Sequence, residues 1–180
     1  VLTSYACTYL GVMQVRAQYV FAAITTILYV YVFYTAGLYG SALANLYLPI
    51  ALVYGWFRWG PDGRTREVTW TNPVYYLGYS VLGVGGWAIT YYSAQNLGID
   101  IPVLDSVILV LTIIAQFMMD NKKVECWIIW SVLNVIAIYL YFQSGLFLAG
   151  SQYILFLINA FWGFYQWYKS IPIIEKHYAR

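Results

Sequence analysis

Seven apolar segments, at about residues 1–14, 18–35, 41–59, 74–94, 103–120, 124–142 and 147–168, divide the chain, and the basic residues between them fall on alternate connections only. Short loops between apolar helices make neighbours antiparallel, so connections 1–2, 3–4, 5–6 and the tail share one side of a membrane. On that side lie Arg16, Arg58, Arg64, Arg66, Lys122, Lys123, Lys169, Lys176 and Arg180, all nine basic residues of the chain. One helix more or fewer would scramble this split. It therefore points to seven transmembrane helices, with the basic side and the C-terminus cytoplasmic and the N-terminus outside. With 62% hydrophobic and 9% charged residues and a mean hydropathy of +0.66, the chain belongs in a lipid bilayer. A net charge of +2 is too small to suggest nucleic acid as a partner. The first segment is shorter than the roughly 20 residues a span needs and the chain does not begin with Met, so the start of the first helix is expected to lie outside this sequence. No basic leader or small-residue cleavage site marks a signal peptide there.

Glycine-rich turns punctuate the connections at Gly37-Leu38-Tyr39-Gly40, Gly60-Pro61-Asp62-Gly63, Asn96-Leu97-Gly98 and Ser144-Gly145. A shift of 108 residues lays Gly37-Leu38 on Gly145-Leu146, Tyr31 on Tyr139, Ile50 on Ile158, Gly55 on Gly163 and Trp59 on Trp167. The chain is accordingly read as an all-α membrane protein of two parallel three-helix repeats joined by a linker helix, a 3+1+3 plan. Residues 1–59 form the first repeat, 60–102 a loop and the linker helix, 103–168 the second repeat, and 169–180 a cytoplasmic tail. Parallel repeats of this kind occur in transporters of the SWEET type, with the substrate held near the midplane between them.

Depth decides which polar residues need explaining. On the sixth helix Trp127, Trp130 and Asn134 lie at i, i+3 and i+7, so two indoles and a carboxamide share one stripe. Asn134 falls near the middle of the bilayer, and Asn159 on the seventh helix reaches nearly the same depth. Gln116 lies about one turn from the basic end of the fifth helix and close to the level of the two tryptophans, and Asn45 about one turn from the opposite end of the third. Each amide alone is accounted for by a bond to a neighbouring helix, worth about 0.6 kcal/mol on average; as a set with the tryptophans they outline a binding site. Aromatic residues make up 21% of the chain, more than interfacial belts need, which is consistent with a ring-lined cavity.

Absences restrict the function further. No Lys or Arg lies deep in a span, which excludes a retinal Schiff base and a voltage sensor. His177 is the only histidine and lies in the tail; Cys7 and Cys126 sit in apolar helical context as packing residues. No metal site and no cofactor are implied, and no nucleophile–base pair or nucleotide-binding loop suggests an enzyme. Asp105 and Glu125 are read as end-of-helix groups stabilised by the helix dipole. With no carboxylate expected at the midplane, an uncoupled facilitator is favoured over an ion-driven pump.

The stretch Glu125-x-Trp127-x-x-Trp130-x-x-x-Asn134 resembles the W-x-x-W-x-x-x-N motif of the PnuC family of bacterial vitamin transporters. Gly37-Leu38-Tyr39-Gly40 with Gly55-Trp56-Phe57-Arg58-Trp59, and the ending Gly163-Phe164-Tyr165-Gln166-Trp167, are similar to that family as well. The resemblance implies a homotrimer in the bacterial inner membrane that facilitates uptake of nicotinamide riboside, an NAD precursor, down its gradient, with phosphorylation inside trapping the product. It also implies that Trp127 and Trp130 contact the base and Asn134 its carboxamide; Gln116, Asn159 and Asn45 join the site from depth alone. A flat cationic ring suits tryptophan faces, and an Asn both donates to and accepts from a carboxamide. Thiamine, riboflavin and a SWEET-like sugar remain alternative substrates, and a non-transporting scaffold whose aromatic stripe only packs helices is the alternative from another class.

Overall fold

The computed structural model describes residues 2–61 and 66–171, and these form seven α-helices: α1 (Leu2–Val12), α2 (Gln18–Thr35), α3 (Tyr39–Trp59), α4 (Val74–Asn96), α5 (Val103–Asp120), α6 (Cys126–Gln143) and α7 (Phe147–Ser170). Arg64, Lys176, His177 and Arg180 lie outside the described residues. In a bilayer each backbone amide must find its partner within the segment, so long apolar runs become helices. Helices α2, α3, α5, α6 and α7 are long and apolar enough to cross a membrane. At 23 residues α4 has the length with a less apolar composition, and α1 has 11 residues.

Packing arranges six of the helices in a closed ring: α1 touches α2, α2 touches α3, α3 touches α5, α5 touches α6, α6 touches α7, and α7 returns to α1. Helix α4 packs along α5 and buries none of its residues. The ring positions the site; α4 stands outside it.

Offset by 108 residues, α2 has the same bounds as α6, and α3 begins with the counterpart of the first residue of α7. Their turns agree as well. Gly37 and Gly145 take φ of 73° and 74°, a left-handed conformation that costs glycine nothing, and each ends its helix one residue before a leucine whose amide bonds back to the preceding helix. The only two non-glycine residues with positive φ among those described, Gln14 and Lys122, are also 108 apart, and they touch: Lys122 Nζ donates to Gln14 Oε1 at 2.7 Å.

Near the basic end the buried rings form a matched pair of corners. Trp59 meets Tyr19 edge to face at 5.3 Å, and Trp167 meets Trp127 the same way at 5.4 Å. The Trp59 indole donates to the carbonyl of Met119 and the Trp167 indole to that of Gly11, residues again 108 apart. A Cβ at Gly55 would run into the Tyr19 ring, and one at Gly163 into the Trp127 ring, so both glycines are required by close packing. At the opposite end Asp105 departs from its expected role. It lies in the first turn of α5 but is fully buried, and its carboxylate accepts the Gly40 and Ser41 amides and the Ser41 hydroxyl, capping α3 across the helix interface. Ser41 Oγ in turn lies 3.0 Å from the Tyr141 hydroxyl. Glu125 likewise joins elements, accepting the Thr71 amide and the Tyr76 hydroxyl, each at 2.7 Å, to tie the loop before α4 and α4 itself to the start of α6.

Candidate ligand cavity

Between the two ends the ring encloses a cavity of about 150 Å³ to which all six of its helices contribute. An apolar void of about 150 Å³ accepts a single six-membered ring. Its wall is formed by Ser4, Cys7 and Thr8 of α1; Gln18, Tyr19, Ala22, Thr25, Thr26 and Tyr29 of α2; Asn45, Leu48 and Leu52 of α3; Gln116 and Met119 of α5; Trp127, Trp130 and Asn134 of α6; and Tyr153, Phe156, Asn159 and Ala160 of α7. Trp127, Trp130, Asn134, Gln116, Asn159 and Asn45, singled out from sequence on four different helices, thus meet at one cavity.

Helix α6 supplies the indole-bearing side. Its apolar run begins at Cys126, so Asn134 sits eight residues, or about 12 Å, into a helix of about 27 Å. That is the middle of the span. Trp127 is 3% exposed, held on edge by Trp167 over the clearance at Gly163. The indole nitrogens of Trp127 and Trp130 are buried without a hydrogen-bond partner. The side chains of Asn134 and Asn159 make no hydrogen bond to any described residue. A bond across a helix pair, the ordinary reason for a membrane amide, is therefore not what Asn134 makes. Buried donors and acceptors left open around one void are what a polar ligand would satisfy.

The remaining amides are held by the protein at one end. Asn45 Nδ2 donates to the Ser41 carbonyl at 2.9 Å, one turn back on α3, which leaves its carbonyl oxygen for the cavity. Pro49, four residues on, has no amide to bond the Asn45 backbone carbonyl, freeing a second acceptor there. Gln116 Nε2 donates to Asp120 Oδ1 at 2.8 Å, and the Tyr19 hydroxyl donates to the same oxygen at 2.9 Å. Asp120 is the residue that sequence reasoning passes over. It stands at the end of α5, yet it is 1% exposed and directly behind two lining residues. Its spacing of four from Gln116 was the available signal, because residues at i and i+4 share a helix face.

Gln18 and Ser4 were missed too. Each is buried on the wall with a polar atom lacking a partner, Gln18 Nε2 near the basic end and Ser4 Oγ on α1. Among the described residues no Lys, Arg, His, Asp or Glu reaches the lining, and no group of His, Cys, Asp or Glu is arranged to hold a metal ion. Such a wall stacks a ring, pairs an amide and bonds hydroxyls; it offers nothing to neutralise an anion.

A ring of apolar helices around a buried, amide-studded cavity defines a multi-pass membrane transporter. The sequence profile described as nicotinamide mononucleotide transporter matches residues 1–169, and the chain belongs to that family. The nicotinamide riboside transporter PnuC of Neisseria mucosa is 30% identical over 180 residues, covering 89% of this chain and 66% of that protein. The protein of the same name from Escherichia coli is 24% identical over 193 residues, covering 91% and 81%. A riboflavin/roseoflavin transporter, RibM of Streptomyces davaonensis, is 26% identical over 149 residues, covering 76% and 70%. The crystal structure of the vitamin B3 transporter PnuC superposes with a TM-score of 0.79 at 28% identity, over 93% of this chain and 77% of that one.

Proposed function

We propose that this chain carries nicotinamide riboside across the membrane down its gradient, binding it in the central cavity. The observation that carries the choice of substrate is the lining: two open indoles, two open carboxamides and no cation. The nicotinamide ring lies against Trp127 and Trp130, where a flat cation gains about 0.5–2 kcal/mol from an indole face. Asn134 reads the carboxamide, and Gln116, Asn159 and Asn45 bond the rest of the amide and sugar. A phosphorylated nucleotide would bring a charge that nothing in the wall neutralises, which favours the riboside over the mononucleotide. The same fact supports trapping: once phosphorylated inside, the product no longer fits the chemistry of its own exit. Riboflavin is the second reading, favoured by the resemblance to a riboflavin/roseoflavin transporter.

The order of the helix ring supports the 3+1+3 plan, since replacing α1–α3 by α5–α7 and the reverse maps the ring onto itself. The uncovered helix α4, outside that ring, supports assembly as a homotrimer, whose mass in detergent would be that of three chains. The positive-inside rule supports a cytoplasmic C-terminus in a bacterial inner membrane.

Counterflow in proteoliposomes tests the substrate and the mechanism together. Labelled nicotinamide riboside should exchange saturably with no proton or sodium gradient, be indifferent to ionophores, and be competed by unlabelled riboside but not by the mononucleotide, thiamine, riboflavin or glucose. Uptake no faster than in empty vesicles would leave a non-transporting scaffold. Orientation is read by labelling: a cysteine replacing Gln95 should react in intact cells, and one replacing Arg64 only after the inner face is exposed.

A further inference from the structure

We infer that Asp120 is a specificity-determining residue that tunes the cavity for a cationic ligand, acting from behind the wall through Gln116 and Tyr19; the inference rests on the nicotinamide riboside reading. Three observations meet at this carboxylate. It is 1% exposed, its Oδ1 accepts from Gln116 Nε2 and the Tyr19 hydroxyl, and its Oδ2 has no partner. Both donors line the cavity although Asp120 itself does not. No cation among the described residues pairs with it. The ammonium of Lys122, two residues on, is directed at Gln14 Oε1, 2.7 Å away, and lies 4.9 Å from the centre of the Trp59 ring.

The place is built for a carboxylate in this position. A Cβ at Gly55 would strike Asp120 Oδ1 and the Tyr19 ring, so the glycine on α3 makes the room in which these side chains of α2 and α5 meet. A buried carboxylate without a counter-ion carries a desolvation cost, and a cation placed on the other side of Gln116 and Tyr19 offsets it. The wall alone is neutral; Asp120 gives its field a sign. The bond from Gln116 has a second effect, since it holds the amide nitrogen on Asp120 and leaves the carbonyl oxygen for the ligand.

The test compares two ligands that differ in charge at one ring atom: nicotinamide riboside, and benzamide riboside, in which a neutral ring carbon replaces the pyridinium nitrogen. Binding of both is measured by calorimetry to the detergent-solubilised full chain, as wild type, Asp120→Asn and Asp120→Glu. Wild type should prefer the cation. Asp120→Asn should lower the ratio of cation to neutral affinity by about tenfold, the effect of removing one charge roughly 10 Å away at an effective dielectric of about 20, while Asp120→Glu retains the preference. Equal losses for both ligands in Asp120→Asn would reduce Asp120 to a structural role and overturn the inference, as would an unchanged ratio. If Asp120→Asn does not fold, Asp120→Ser is read in its place with the same expected fall in the ratio, and equal affinity of wild type for the two ligands overturns the inference without any variant. Wild type binding neither ligand overturns the substrate reading itself, a result distinct from the others.

Discussion

On α2, Tyr19, Ala22 and Thr26 stand at the positions that Trp127, Trp130 and Asn134 occupy on α6, and all six residues line the cavity. The two helices have the same length and the same flanking turns, and Tyr19 and Trp127 each meet a tryptophan of the following helix edge to face. Their polar groups differ in what they are doing. The Tyr19 hydroxyl is engaged with Asp120, and Thr26 Oγ1 bonds back to the Ala23 carbonyl on its own helix. On α6 the two indole nitrogens are without partners, and the Asn134 carboxamide makes no hydrogen bond to a described residue. Helices matched at a shift of 108 therefore build the chamber, and the indole nitrogens left without partners on its wall all lie on one of the two. A ligand with a distinct ring end and sugar end needs that difference, because a two-fold symmetric wall would offer both ends the same contacts.

The largest break in this comparison should come at Asn134. Replacing it by Leu leaves the ligand carboxamide buried without its partner, at about 1–3 kcal/mol, or five- to more than a hundredfold in affinity. An analogue lacking the carboxamide isolates the interaction. Wild type should reject it, and Asn134→Leu should bind it about as well as it binds nicotinamide riboside. Equal losses for both ligands would mean that Asn134 serves the helix packing, leaving Trp127 and Trp130 as the recognition stripe.

Trp130→Ala comes next, and it gives α6 the residue α2 carries at the equivalent position, Ala22. It should remove about 0.5–2 kcal/mol of cation–π attraction, roughly two- to thirtyfold in affinity. The loss should be smaller for a neutral ring than for the pyridinium. An effect independent of ring charge would assign Trp130 to shape alone.

Much of this arrangement is legible in the sequence because its causes are local or periodic. The alternation of basic connections orders the helices, Gly37 and Gly145 mark turns whose φ only glycine takes readily, and a spacing of three and seven puts Trp127, Trp130 and Asn134 on one stripe. Depth alone was enough to bring Gln116, Asn159 and Asn45 to the same wall, since helices of similar length in a bilayer share a common ruler. What stayed hidden depends on contacts between helices remote in sequence. Asp105 reads as a group serving its own helix, but it caps α3, 65 residues earlier in the chain. Asp120 draws no reading at all, because nothing in sequence announces Tyr19, 101 residues away, as its partner. Gln18 and Ser4 sit at or near helix starts, where a polar residue is commonplace, and only the closing of α1 against α2 and α7 puts them on the cavity wall.

The smallest effect is expected on α2 itself, and it is the sharpest check on the asymmetry. Thr26 matches Asn134 in position and is as deeply buried, at 4% against 3% exposed, so burial alone predicts equal importance for both. Hydrogen bonding predicts otherwise. Thr26 Oγ1 already donates to the Ala23 carbonyl at 3.1 Å, and that carbonyl belongs to a helix whose own ladder also serves it, so removing the hydroxyl leaves no carbonyl stranded. Thr26→Val keeps the branched shape and loses only this bond. The variant should bind nicotinamide riboside within about twofold of wild type, a change of roughly 0.4 kcal/mol. A loss at Thr26 as large as that at Asn134 would show that the ligand bonds both halves alike, and the division between a frame that repeats and a helix that recognises would have to be given up.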